Sequence, residues 1–264
     1  MYPCLLFVPA NEKMLLKSKS LTPDGFIFDL EDSIPGNQKT KALHSLNTFI
    51  LENISSKKNT WLVRLNSDNI EKETEVLDCP AIDGFMIPKF ESGSQTAFLE
   101  RMKTKKKIIA LIETCKGVEE VHNISCINTI DAIAFGAEDY CAQRNMVAKK
   151  EYLVPIKSML LNSCIANNKL IFDTPSFQIR DEKAFQDDVG ESVSLGFHGK
   201  LAIHPNQIEV IQKEFGYHDI EYIETVIDLF EQRGGGVMEY DGKVYENPHI
   251  KRLKKILLEH NTKK

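Results

Sequence analysis

No apolar run in this 264-residue chain is long enough to cross a membrane, and its start, MYPCLLFVPANEKM, lacks the basic stretch of a secretory signal. We therefore expect a cytoplasmic protein with no membrane partner. Neither GxGxxG nor GxxxxGK[ST] occurs, which removes the usual glycine-rich phosphate cradles. Six cysteines are present without a CxxC pair, and a chain of this size does not need disulfide staples. They read as reduced thiols; Cys115 and Cys141 keep a catalytic alternative, although no histidine stands where it would form an obvious dyad. A surplus of one charge is missing too. The 33 basic and 38 acidic residues give a formal charge of -5, with no basic arm, so nucleic acid is not an expected partner.

What the chain does have is alternation. Hydrophobic residues make up 42% of it, enough for one large core or two small ones. Short apolar runs at Cys4–Val8, GFIFDL from Gly25, Trp61–Leu65, Gly84–Ile87, Ile108–Ile112, Ala132–Phe135, Lys169–Phe172 and Lys200–Ile203 are separated by helix-length segments. Continuous apolar runs with crossovers between them indicate parallel strands covered on both faces. Eight strands in that order predict a (β/α)8 TIM barrel over residues 1–233. A doubly wound sheet is the competing architecture. Gly234, Gly235 and Gly236 then break the pattern, and residues 234–264 read as a lid or a clasp between subunits, with a turn at Asp241-Gly242.

Ionisable residues tip these strands: Asp29, Glu31, Arg64, Lys89, Glu113, Asp139, Asp173 and His204. In a parallel barrel those ends share the face that carries the active site. Glu113 and Asp139 leave adjacent strands and form the best metal pair; a hard divalent cation such as Mg2+ bound by two carboxylates keeps water or substrate oxygens in its shell. A salt bridge from Glu113 to Arg64 or Lys89 is the competing reading. Asp29 and Glu31 are placed to orient metal-bound waters, or else Glu31 or Asp32 merely caps the next helix. Arg64 has the planar fork that suits a substrate carboxylate, with a buried pair to an acidic neighbour as its alternative. Lys89 is open between a Schiff-base role and a supporting one. His204 reads as a structural hydrogen-bonding residue, and Glu246 is the acid or base that a lid would bring.

The segments LFVPA (6–10), FDLEDSI (28–34), VRLN (63–66), IPKFES (87–92), LIET (111–114), FGAEDY (135–140) and GFHGKLAIHPNQI (196–208) together resemble the citrate lyase beta subunit family. Within the wider HpcH/HpaI aldolase group, the likeness is greatest to free-standing malyl- or citramalyl-coenzyme A lyases. The resemblance implies a Mg2+-dependent barrel, commonly a homotrimer, in which Glu113 and Asp139 bind the metal and Arg64 grips a keto acid carboxylate. DGKVYENP (241–248) is similar to a segment that carries an acid–base aspartate across a subunit interface, where this chain has Glu246. The extra methylene shifts the carboxylate by about 1.5 Å, and a shift of that order can cost on the order of a hundredfold in rate. Two basic positions of relatives are also absent here, at Leu43 and near Asn162.

The expected reaction is cleavage of a 3-hydroxy acyl-coenzyme A thioester of citramalyl, malyl or citryl type, giving acetyl-coenzyme A and a small keto acid or oxaloacetate. Competing readings are a citrate lyase beta subunit acting on a carrier-bound citryl thioester, a malate synthase-like enzyme that also hydrolyses the thioester, and a non-catalytic relative.

Overall fold

The strand-like runs have no polar face, and the structure shows why: each strand is covered on both sides. In the computed structural model, which describes residues 3–102, 105–216 and 220–261, eight parallel strands close into a barrel in sequence order. They are β1 (Cys4–Pro9), β2 (Gly25–Asp29), β3 (Thr60–Arg64), β4 (Gly84–Ile87), β5 (Lys107–Ile112), β6 (Ala132–Phe135), β7 (Leu170–Asp173) and β8 (Gly199–Ala202). β1 and β8 close the ring, with Cys4 opposite Lys200. The doubly wound alternative is thereby excluded. Alternate residues fill the interior, among them Leu5, Ile27, Leu62, Met86, Leu111 and Leu201. The intervening ones, such as Phe28, Val63, Ile112 and Phe135, pack outward into the layer beneath the helices.

Helix ends follow local chemistry. Asn11 caps Glu12–Ser18 by accepting from the Met14 N–H at 3.0 Å, and Asp181 caps Glu182–Leu195 by accepting from Ala184 at 2.9 Å. Among the described residues, no helix is long and apolar enough to cross a membrane.

Asp173, at the end of β7, does not face the rim as the sequence suggests. It is fully buried, and its Oδ2 accepts from Lys157 (2.9 Å), Ser192 (2.6 Å) and Lys200 (3.1 Å). Lys200 also pairs with Asp188 at 3.1 Å and Lys157 with Glu191 at 3.2 Å. Burial would raise the Asp173 pKa, but the two ammonium groups outweigh it and hold the carboxyl below its usual range. The cluster ties β7 and β8 to the helices Lys150–Ala166 and Glu182–Leu195.

The chain forms two compact units, Met1–Phe215 and Gly216–Lys264. The division falls before the glycine run rather than at residue 234, because helix Ile220–Gln232 shares its apolar face with residues on the far side of that run. Val226 and Phe230 join Met238, Tyr245, Ile250 and Leu253 in one cluster. Within this second unit β9 (Met238–Tyr240) and β10 (Lys243–Tyr245) pair antiparallel, and helix Asn247–Asn261 comes after them. Asp241 (φ 51°) and Gly242 (φ 70°) both take the left-handed conformation that a two-residue hairpin turn requires.

Removing the shared counter-charge should unlock the β7–β8 corner. We expect Asp173→Asn, which leaves two buried ammonium groups short of a partner, to lower stability by about 3–5 kcal/mol in urea unfolding.

Candidate active site

The register of the barrel sets the site. Asp29 and Arg64, the last residues of β2 and β3, are direct partners across neighbouring strands. Their side chains meet in a bidentate pair, with Arg64 Nε 2.7 Å from Asp29 Oδ1 and Nη2 2.8 Å from Oδ2. Arg64 Nη1 lies 3.1 Å from both Asp32 Oδ2 and Glu31 Oε2. The Glu31 N–H (2.9 Å) and the Ser33 N–H (3.2 Å) also donate to Asp29. Phe7, on β1, places its ring centroid 5.0 Å from the guanidinium carbon. Burial alone would raise the Asp29 pKa, but these Arg64 and backbone contacts outweigh it and the pKa is lowered. Burial would lower that of Arg64, yet the Asp29 hydrogen bonds and the charges of Asp29, Glu31 and Asp32 raise it.

Glu113 follows β5 directly, just before Thr114 caps the next helix by accepting from Gly117 at 2.9 Å. Its carboxylate is 2% exposed and receives one N–H, from Lys89 to Oε1 at 2.8 Å. Lys89 adopts φ 48° to deliver that donor, a left-handed conformation that few non-glycine residues occupy. Gly136 presses on the opposite side: a Cβ there would stand 2.6 Å from Glu113 Cβ and 2.8 Å from Oε2. Burial first, then the charges of Glu31 and Asp139, push the Glu113 pKa up to about 8 against Arg64 and the Lys89 N–H.

The Lys89 ammonium sits 2.9 Å from Glu31 Oε1 and 3.7 Å from Asp32. Burial would lower its pKa, but the hydrogen bond and charge of Glu31 outweigh that and raise it. That shift runs opposite to the one a Schiff-base lysine needs, and Lys89 holds Glu113 with its backbone and Glu31 with its side chain. Glu31 is 2% exposed, and burial, opposed by Arg64 and Lys89, still raises its pKa.

A cavity of about 460 Å³ opens at this rim and is lined by Arg64, Asp29, Asp32, Glu113, Glu138 and Asp139 among others. The metal pair and the arginine inferred from sequence therefore face one space, while Glu31 and Lys89 stand behind its wall. Asp139 is exposed in the first turn of helix Ala137–Gln143. Arg64 is paired with its acidic neighbour Asp29, the alternative weighed for it, and it also lines the cavity. Glu113 makes neither of the salt bridges weighed for it within 4.0 Å. His204 lies outside the lining; its Nδ1 accepts from the Asn206 N–H at 3.3 Å, the structural role expected. Glu246 belongs to the second unit, where it is exposed and its N–H donates to His249 Nδ1 at 3.0 Å. Burial, followed by the Glu138 charge, raises the pKa of the buried Cys141 thiol, which disfavours the thiolate that a catalytic role needs.

Thr174 and Phe7 are among the lining residues that the sequence did not single out. Thr174, one position past Asp173, accepts the Ala137 N–H at 3.1 Å and so steadies the turn carrying Glu138 and Asp139. Phe7 is the other, and its inward parity on β1 was the available signal. The loop after β3 is braced similarly: Glu73 Oε2 accepts from the Asn66 N–H at 2.7 Å, and the Ser67 hydroxyl donates to Glu31 Oε1 at 3.2 Å.

The donor chemistry fits a hard cation. Asp29, Glu31, Asp32, Glu113 and Asp139 outnumber Arg64 and Lys89, and burial raises two of these carboxylates, so added positive charge is favoured. Among the described residues, no three His, Cys, Asp or Glu side chains form a complete cage.

The family model described as HpcH/HpaI aldolase/citrate lyase matches residues 4–205. A citrate lyase subunit beta of Haemophilus influenzae is 29% identical, over 96% of this chain and 94% of its own. The mitochondrial citramalyl-CoA lyase of Homo sapiens is 27% identical, over 94% and 82%. A CitE structure from Mycobacterium tuberculosis with magnesium, acetoacetate and coenzyme A superposes with TM-score 0.83 at 24% identity, covering 98% of each chain. Another from that organism, a citrate lyase beta subunit with oxaloacetate and magnesium, gives 0.70 at 26% identity over 81% of this chain and 96% of the other.

The Glu73 brace carries a pH signature. Burial foremost, with Glu31 and Asp29 adding to it, pushes its pKa from the ordinary 4.5 to about 7. Between those values the folded state holds a proton that the unfolded chain has released, so this contribution to stability falls as pH rises and is lost above about 7. Glu73→Gln cannot titrate. Thermal unfolding should therefore show the variant gaining on the parent between pH 5 and pH 8.

Proposed function

The chain belongs to the HpcH/HpaI aldolase/citrate lyase family, and on that premise we propose that it is a Mg2+-dependent carbon–carbon lyase acting on a 3-hydroxy acyl-coenzyme A thioester. The products of this reaction are acetyl-coenzyme A and a 2-keto acid. One observation carries the reading: Arg64, Glu113 and Asp139 line a single cavity at the C-terminal ends of the strands. The oxaloacetate and magnesium complex of the M. tuberculosis relative supports it.

Glu113 and Asp139 hold the ion in this scheme. When bound, the ion polarises oxygens of the reacting substrate as a Lewis acid. Arg64 takes a substrate carboxylate, and its geometry is set beforehand, because Asp29 grips two of its nitrogens and Phe7 backs its plane. Asp29 at the cavity wall and Glu31 behind it would support these groups from outside and help orient water near them. Cleavage takes the proton from the substrate hydroxyl and returns one to the acetyl carbon. Glu246 is the assigned proton donor, on the strength of the DGKVYENP match, and its delivery requires a homotrimer in which that segment reaches a neighbouring barrel.

A second reading has its own support in the H. influenzae relative: a citrate lyase beta subunit working on a carrier-bound citryl thioester. Copurification of a dedicated carrier protein, with no turnover of free coenzyme A thioesters, would select it.

The metal assignment is tested by calorimetry and by assay together. Glu113→Gln and Asp139→Asn should abolish measurable Mg2+ binding and keto acid release from malyl-, citramalyl- and citryl-coenzyme A. Gly136→Ala forces Glu113 aside and should weaken Mg2+ binding roughly 10–100-fold. Full binding and activity in the two carboxylate variants would overturn the reading.

A further inference from the structure

We propose that Gln95, which lies outside the cavity lining, is a positioning residue for Glu113: its side-chain amide sets the direction in which the Lys89 N–H points. This deepens the metal reading given above and rests on it. The ground is the way the two peptide groups flanking Lys89 are held. On the N–H side, Lys89 donates to Glu113 Oε1 at 2.8 Å, and the Phe90 N–H donates to the Leu111 carbonyl at 3.0 Å. On the carbonyl side, Gln95 Nε2 donates to the Pro88 oxygen at 3.2 Å and to the Lys89 oxygen at 3.3 Å. A trans peptide is planar, and its C=O and N–H point opposite ways. Gripping the Pro88 oxygen from one side therefore aims the Lys89 N–H at Glu113 on the other.

That orientation does not hold itself. Lys89 stands at φ 48°, where a residue with a side chain is strained, and such a conformation persists only where neighbours over-determine it. Relaxation by rotation of the Pro88–Lys89 peptide would swing the Pro88 carbonyl towards the Glu113 carboxylate and withdraw its donor. The bond from the Lys89 ammonium to Glu31 runs through a flexible stem and fixes no peptide plane. Gln95 suits the task by its chemistry. Glutamine carries acceptor and donors on one plane, and both ends are in use, since Oε1 accepts the Glu91 N–H at 2.8 Å. Its own place is set by the first turn of helix Ser94–Met102, so that helix carries the clamp. The far end of the turn is anchored separately: the Thr114 hydroxyl donates to Glu91 at 2.8 Å and the Ser92 N–H to Glu120 at 2.7 Å. Neither of these contacts touches the peptide before Lys89.

The test uses the full-length chain and Gln95→Met, which keeps the length of the side chain and removes its donors and acceptor. Gln95 is half-buried and methionine is a good helix former, so the fold tolerates the change. Calorimetry should show Mg2+ binding weakened about tenfold, the lower end of what a partner of a metal ligand contributes. Hydrogen exchange of the Lys89 amide, read by NMR on metal-free protein with isotope-labelled lysine, should quicken about tenfold or more. The Lys200 amide, which donates to the Pro3 carbonyl at 2.8 Å, should not change. A glycine at position 89 adopts positive φ without strain, so in the Lys89→Gly background the same Gln95→Met change should cost about threefold or less in Mg2+ affinity. Unaltered exchange at Lys89, equal acceleration at Lys200, unaltered Mg2+ affinity, or an undiminished loss in the Lys89→Gly background overturns the proposal. If the parent chain binds no Mg2+, the metal reading fails, and the Lys89 exchange in Gln95→Met alone decides whether Gln95 sets that amide.

Discussion

Everything at the rim hangs on one cross-strand pair. Asp29 and Arg64 end β2 and β3 at the same level, and the spacing of parallel strands lets carboxylate and guanidinium meet with two short hydrogen bonds. That pair fixes the plane of the guanidinium, Phe7 backs it, and the remaining nitrogen draws Glu31 and Asp32 toward it. Glu31 in turn holds the ammonium of Lys89, whose strained backbone points its N–H at Glu113. The chain of contacts runs from a register to the carboxylate of Glu113 without a gap.

Two of the buried acidic residues, Asp173 and Glu113, show how similar strand ends reach opposite outcomes. Asp173 meets two lysines and a serine and is held ionised with no access to solvent. Glu113 meets one backbone N–H and several like charges, and its pKa rises to about 8. The first centre has its Oδ2 held by three donors and acts as a lock between β7, β8 and the outer helices. The second has carboxylate capacity to spare and borders a cavity, which is the condition for binding a cation. Burial raises the pKa of the neighbouring Glu31 and Glu73 as well, with nearby carboxylates adding to it.

The second unit obeys simpler rules. A helix, a hairpin turned by Asp241 and Gly242, and a final helix gather a small apolar cluster around Phe230 and Tyr245. Glu246 sits between the hairpin and the last helix, exposed and with its own N–H occupied by His249. Its proposed chemistry depends on assembly rather than on anything within the unit.

A parallel sheet covered on both sides was determined by the sequence alone, because eight short apolar runs without a polar face ask for it; its closure into a barrel, against the doubly wound alternative, was decided by the tertiary structure. The positions of Arg64, Glu113 and Asp139 were legible for the same reason, since each closes or follows such a run. Only the tertiary structure decided what each strand-end charge does. Asp173 and Glu113 look alike in sequence, yet the first faces Lys157 and Lys200 and the second faces the cavity. Those partners lie 16 and 27 residues from Asp173, beyond the reach of any local pattern. Lys89 is equally open in the sequence, and only the fold brings its ammonium to Glu31, 58 residues away. The unit boundary moved from 234 to 216 on the same principle, because helix Ile220–Gln232 is amphipathic in either setting and only its packing partners assign it. Periodicity fixes which way a side chain points; the charge it meets there is a property of the folded chain.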